Sequence, residues 1–225
     1  MRHFMSNSFG LGRWLGMLAA VAALSARGQE NFNLSTTTKY TGRAVALRIE
    51  LPPERPNASP PAPVQMADSG AAPITGGEIH SFYNDAAPVP GVTAQALDAV
   101  TVGAGGRNRT RSSLVHLDAR LGLHHITALW VESEAMAATG SHSVTAQGKS
   151  TVEGLVVDGQ PATITGQTNQ TLTFPDGYLV INEQSGASSA HFSSLTVNAL
   201  HLYVVGSGHL TAASARAEVI YSPLP

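Results

Sequence analysis

From Glu78 onward, apolar and polar residues alternate in short runs, and turn residues cut off each run before a helical period can establish itself. The runs cover roughly 78–84, 92–102, 108–121, 124–138, 142–157, 161–166, 170–174, 178–185, 193–205 and 209–221, ten in all. Period-two segments of this length, spaced this closely, indicate an antiparallel sandwich or barrel. The fold class expected is therefore all-β: a single antiparallel β-sandwich, jelly-roll or Greek-key-like, of about ten strands. In 114–121 the two faces are plainest, with Val115, Leu117, Ala119 and Leu121 on one side and His116, Asp118 and Arg120 on the other. The stretch Thr93 to Val100 tolerates a helix, but its alternation favours a strand.

Two turns are specific. Asp158-Gly159 stands between β-formers, where a type I′ hairpin needs positive φ at both central residues. Pro175-Asp176-Gly177 repeats the device between Thr171 and Ile181, so this part of the chain reads as a meander. Gly103-Ala-Gly105-Gly106 precedes a strand rather than a helix and is read as a turn, not a phosphate cradle. Gly148-Lys149-Ser150 resembles the end of a phosphate loop, but Ser143 stands where that motif needs glycine.

Ahead of these runs lies another strand, 40–50, in which Val45, Leu47 and Ile49 alternate with Ala46, Arg48 and Glu50. Six prolines between 52 and 63 then rule out a strand ladder and predict an extended surface loop inside one domain, 40–225. The first residues carry a different signal: Arg2, His3 and Arg13, an apolar run from Trp14 to Leu24, then small residues to Gly28. That order predicts a secretory signal peptide over 1–28, with the mature chain starting near Gln29 and residues 29–39 forming a flexible segment that can be donated as a strand. Removing Arg2, Arg13 and Arg27 leaves 10 basic against 15 acidic residues, a net charge of −5, which gives no electrostatic attraction for nucleic acid or an anionic membrane. With no cysteine, disulfides and thiolate metal sites are excluded.

No catalytic constellation is legible, and no cofactor or metal is expected. His116 and Asp118 share a strand face, but no G-x-S-x-G accompanies them, and a solvated sheet face gives the same pattern. Glu132 and Glu134, two apart on a strand, sit ~6 to 7 Å apart, near what glycosidases use, although catalytic carboxylates ordinarily come from different elements. His124 and His125 are neighbours on a strand and face opposite ways, so they cannot chelate one ion. His201 can meet His191 or His209, but a strand histidine is more often exposed or singly bonded. Trp130, Tyr178 and Tyr203 are the aromatics that a carbohydrate-binding module would use. Asn33, Asn57, Asn108 and Asn169 stand in N-x-[ST] triplets, which are common by chance in a chain this rich in Ser and Thr.

Several strings occur in order: Val152-Glu-Gly-Leu155 through Asp158-Gly159, Ile164-Thr-Gly166 with Asn169-Gln-Thr171, Val180-Ile-Asn-Glu-Gln184, and Thr196-Val-Asn-Ala-Leu-His201. With weaker matches from Tyr40 onward, they make the chain similar to the bacterial surface-protein family called choice-of-anchor P. The resemblance implies an exported β domain, attached to the surface by different C-terminal signals in different members, with no catalytic residues to carry over. It singles out Asn169, Asn182, Glu183, Gln184, Asn198 and His201; their ordinary role is to close turns and satisfy backbone groups. The sequence ends at Tyr221-Ser-Pro-Leu-Pro225 without a sorting motif, so release, non-covalent attachment or self-assembly is expected. The function expected is an extracellular structural or adhesive protein, associating with itself or with cell-surface and matrix components. A carbohydrate-binding module is the alternative and a secreted hydrolase the remote one.

Overall fold

A computed structural model describes residues 36–140 and 143–223. The proposed signal peptide, the segment 29–35 and the start of the 142–157 run lie outside the described residues. Thirteen strands and no helix make up the described chain: β1 (Thr36–Glu50), β2 (Val64–Asp68), β3 (Gly77–Val89), β4 (Val92–Ala104), β5 (Arg107–Leu121), β6 (His124–Thr139), β7 (Val144–Glu153), β8 (Val156–Val157), β9 (Gln160–Pro161), β10 (Gln170–Phe174), β11 (Gly177–Ser188), β12 (Phe192–Val204) and β13 (Gly208–Pro223). They form two antiparallel sheets. One runs β10-β11-β12-β13-β1-β2; the other runs β3-β4-β5-β6-β8-β9, with β7 also on β6.

The sandwich is as expected, but its connections are not. Among the described residues, each strand pairs with its sequence neighbour except where β13 meets β1 and β8 meets β6. This is a meander in each sheet, not a jelly roll or Greek key. The reason is local: two-residue turns at Pro90-Gly91, Gly105-Gly106, Gly122-Leu123, Asp158-Gly159 and Pro175-Asp176 fold each strand straight back on the one before. Gly105 and Gly106, like Asp158 and Gly159, have φ between 51° and 79°, the left-handed pair a type I′ turn requires. Only 69–76 and 162–169 are left to cross between sheets, so the expected run 161–166 is, beyond Pro161 of β9, a crossing rather than a strand. The proline-rich stretch is a loop as expected, and β4 is a strand, not a helix. β2 follows that loop and has no clean alternation of its own. Thr36 to Lys39, expected to be a free segment, are the first residues of β1 and pair with Ile220 to Pro223.

Each sheet is interrupted along one row. In the first sheet Asn182, Ala199, Ala213, Ala46 and Ala67 fall between the same successive rungs of β11, β12, β13, β1 and β2, and the pairing skips them. Asn182, Ala213 and Ala67 have φ of 54°, 54° and 48°. In the second sheet Ala96 and His116, at φ 44° and 49°, mark the same break, opposite Asn84 and Leu129. A left-handed residue between extended ones restarts the in-out alternation in the opposite phase. Thus β12 buries Val197 and Ala199 above the row but Leu200, Leu202 and Val204 below it, and β6 buries Ala137, Ala135 and Val131 above but Ala128 and Ile126 below. The face assigned to Val115, Leu117, Ala119 and Leu121 holds from Leu117 onward, while Val115, beside the row, is only half buried.

The two halves have different cores. Below the row Leu47, Ile49, Leu117, Ile126, Leu179, Leu202 and Leu210 fill the gap. Above it the filling is Ala135, Ala137, Ala215, Ala217, Val197 and Val219 with Tyr40. Facing strands such as β13 with β5 and β6 bring Cα atoms within 8 Å, closer than the ~10 Å usual between packed sheets. At that spacing polar side chains reach the opposite backbone: Asn108 Nδ2 donates to Glu218 O at 3.1 Å, Thr110 Oγ1 to Arg216 O at 2.9 Å and Ser112 Oγ to Val45 O at 2.9 Å. These three residues are fully buried and their bonds satisfy them, whereas the buried hydroxyls of Ser113, Ser133 and Ser193 find no partner among the described residues. Gly42 makes room for the Asn108 amide, which a Cβ would meet at 2.8 Å.

The row predicts a specific sensitivity. Ala213→Val places a β-branched side chain in a fully buried left-handed position and is expected to cost at least ~2 kcal/mol. Ala213→Gly is expected to stay within about 1 kcal/mol of the parent, because relief of φ strain offsets the lost methyl. Urea denaturation of both variants checks this.

Candidate functional site

The six residues picked out by the resemblance gather around β11, in two sets. Asn169, in the crossing before β10, accepts the Gln184 N–H on its Oδ1 at 2.7 Å and donates its own N–H to Asn182 O at 2.9 Å. The Gln184 side chain donates from Nε2 to Asn182 Oδ1 at 2.9 Å and to Gly148 O of β7 at 3.3 Å. This first set satisfies backbone where the ladder is broken at Asn182 and anchors β7 over the first sheet. That is the ordinary role expected of these residues.

The second set is different. Glu183, Asn198 and His201 lie on the outer side of β11 and β12. Asn198 Nδ2 donates to Glu183 Oε2 at 2.6 Å, and His201 Nδ1 lies 3.1 Å from both Glu183 oxygens. His201 Nε2 reaches His209 Nδ1 of β13 at 3.1 Å, and those rings are stacked with centroids 5.4 Å apart. Tyr203 lies between Tyr178, at 5.3 Å, and His209, at 4.6 Å. The rungs Tyr178↔Tyr203↔His209 explain the cluster: one row of side chains crosses three strands on a single face. The hydrogen bond from His201, reinforced by the one from Asn198, holds the Glu183 carboxyl below its ordinary value despite partial burial. Chemically this is a carboxylate, an amide, two imidazoles and two phenol rings on one half-buried patch.

His201 thus meets His209, as the sequence allowed, while His191 stacks on Tyr221 instead. Among the described residues no group of three or more histidine, aspartate or glutamate side chains is placed to hold a metal ion. Glu132 and Glu134 are each paired across the sheet, Glu132 with Arg111 at 3.0 Å and Glu134 with Arg109 at 2.8 Å. His116 and Asp118 do not meet: His116 Nδ1 bonds Gln95 Oε1 at 2.8 Å, and Asp118 bonds His125 at 2.9 Å. His116 borders an open groove of about 740 Å3 with Asp85, Thr93 and Gln95. His124 and His125 face opposite sides, as expected. Asn108 is fully buried between the sheets, so its N-x-[ST] triplet is inaccessible in the folded chain.

A third feature is an edge. β3 is the outermost strand of its sheet, thirteen residues long and hydrogen-bonded only to β4 among the described residues. Phe82 and Tyr83 on it are 48% and 46% exposed. The corresponding stretch of β1 is covered instead, since Ser69, Ala72 and Ile74 of the crossing bond the backbones of Ala44, Gly42 and Tyr40. No described helix is long and apolar enough to cross a membrane, which says nothing of strands. Compared with protein-family models, curated proteins and solved structures, the chain gives no match.

The Glu183 cluster makes a pH-dependent contribution. A carboxyl whose folded pKa lies below its unfolded one stabilises the fold above the ordinary carboxylate range and loses that effect as pH falls through the lowered value. Glu183→Gln is expected to destabilise by roughly 1–2 kcal/mol at pH 7, and the gap to the parent should close on acidification. Thermal melts at pH 7 and pH 3 check it.

Proposed function

We propose that this chain is an exported, non-catalytic extracellular protein with a structural or adhesive role, of the kind to which the choice-of-anchor P resemblance points, and that its copies associate through the open edge of β3. The edge itself carries the reading. A long regular edge strand is a template for another chain, and proteins that stay monomeric blunt such edges with charge, proline or bulges. Here Pro88, the irregularity between Ala86 and Val89 and the break at Asn84 protect the far half, while Phe82 and Tyr83 leave apolar surface beside backbone groups that have no partner on that side among the described residues. The donor is the segment before β1. Because Thr36 onward is already paired within the chain, the donated residues are 29–35, Gln-Glu-Asn-Phe-Asn-Leu-Ser, in which Phe32 and Leu34 alternate with polar neighbours. Seven extended residues reach about 23 Å, enough to cover half of β3 on a neighbouring copy.

A second reading, a carbohydrate-binding module, draws on the Tyr178, Tyr203, His201 and His209 patch, where ring faces and planar polar groups share one surface. Binding to insoluble polysaccharides that is lost in a Tyr178→Ala/Tyr203→Ala variant would favour it. Against the hydrolase reading, which rests on Glu132 and Glu134 or on His116 and Asp118, count the pairing of the two glutamates with Arg111 and Arg109 and the separate partners of His116 and Asp118.

Light scattering distinguishes the edge model. A chain beginning at Gln29 is expected to form oligomers, and a chain beginning at Ser35 or a Phe82→Lys/Tyr83→Lys variant is expected to be monomeric. Monodisperse monomers from all three would contradict the proposal.

A further inference from the structure

His124, the first residue of β6, is 8% exposed and has a carboxylate on each side of its ring. Nδ1 lies 2.7 Å from Asp158 Oδ2 and Nε2 lies 2.7 Å from Asp176 Oδ1, while the ring stacks on Phe174 at 4.1 Å. Asp158 opens the β8–β9 turn of one sheet, and Asp176 closes the β10–β11 turn of the other. One imidazole therefore spans the end of the sandwich. Asp158 also accepts the His125 N–H on Oδ1 at 2.8 Å, and the Asp176 carbonyl accepts the N–H of Val205, in the β12–β13 turn, at 2.8 Å. The charged or titratable groups facing His124 are Asp158 and Asp176, with His125, paired to Asp118 of β5, behind Asp158.

The chemistry of the ring decides its state. A neutral imidazole has one N–H, so one of its nitrogens would present a lone pair to a carboxylate oxygen. Only the imidazolium donates to both. We propose that His124 is a protonation latch: charged, it ties the β8–β9 turn of one sheet to the β10–β11 turn of the other, and loss of the Nε2 proton, with Nδ1–H kept on Asp158, releases the β10–β11 turn with the Val205 turn bonded to it. Burial disfavours the charged ring, but the hydrogen bonds to Asp176 and Asp158 outweigh it and hold the imidazole above its ordinary value. Since the folded pKa is the higher one, the latch contributes fully below the unfolded histidine value of about 6.5 and is lost as pH rises through the raised one. The β10–β11 and β12–β13 turns thus open on alkalinisation, while the rest of the sandwich stays folded.

Ring titration by NMR together with amide exchange of the full chain tests this. In the parent, His124 is expected to titrate above about 6.5, and protection of the Val205 N–H, corrected for intrinsic rate, to fall about tenfold between pH 6 and pH 9. Asp176→Asn is expected to lower the ring's titration point and to flatten the pH dependence at Val205, and His124→Gln to abolish that dependence. If His124→Gln fails to fold, the Asp176→Asn comparison stands alone. A ring that titrates at or below the ordinary value, or Val205 protection that is flat with pH in the parent, overturns the proposal.

Discussion

The architecture depends on one backbone constraint: in both sheets the pleat changes phase at mid-strand, along one row in the first sheet and on either side of the Gln95–Val115 rung in the second, where Asn182, Ala213, Ala67, Ala96 and His116 are held at positive φ. Non-glycine residues pay roughly 1–3 kcal/mol each for this conformation, so the surrounding packing must enforce it. The neighbouring strands comply without left-handed residues of their own, because a hydrogen-bonded partner cannot keep the old phase beside a strand that has changed it. Ala199 and Ala46 sit in the row with side chains small enough to allow this.

Two cores of different chemistry follow from that constraint. Below the row, large aliphatic residues supply most of the hydrophobic stabilisation. Farther above it, beyond Leu97, Leu114 and Val131, alanines fill much of the space between the sheets, and Asn108, Thr110 and Ser112 hydrogen-bond to carbonyls of the opposite sheet. Buried polar bonds of this kind contribute little net energy but are costly when broken, so they fix how the two sheets sit against each other. The Glu183 patch lies outside the row, where β11 and β12 have just changed phase.

Strand existence was legible because turn chemistry is local: Gly105-Gly106, Asp158-Gly159 and Pro175-Asp176 encode hairpins whatever lies around them. Strand order was less legible: short turns everywhere favour a meander and leave no long connection for a Greek key, but which strands close the two sheets is set by non-local pairing of β13 with β1 and β8 with β6. The phase change was not legible. Alanine has no preference for positive φ, so Ala67, Ala96 and Ala213 look like ordinary strand residues. The strings single out Glu183, Asn198 and His201 but not their pairing, and the convergence of Asp158 and Asp176 on His124 was not legible either. Both aspartates have a sufficient local reason to exist as turn residues, and only the packing of two sheet ends brings them to one ring.

Solution NMR measures the row directly. A left-handed residue brings its own amide and α protons close together, whereas an extended residue separates them. Strong intraresidue amide-to-α contacts and matching scalar couplings at Asn182, Ala213, Ala67, Ala96 and His116, set against weak ones at their strand neighbours, are what this account predicts. Uniformly extended signatures at those five positions would contradict it, and with it the division of the sandwich into two cores.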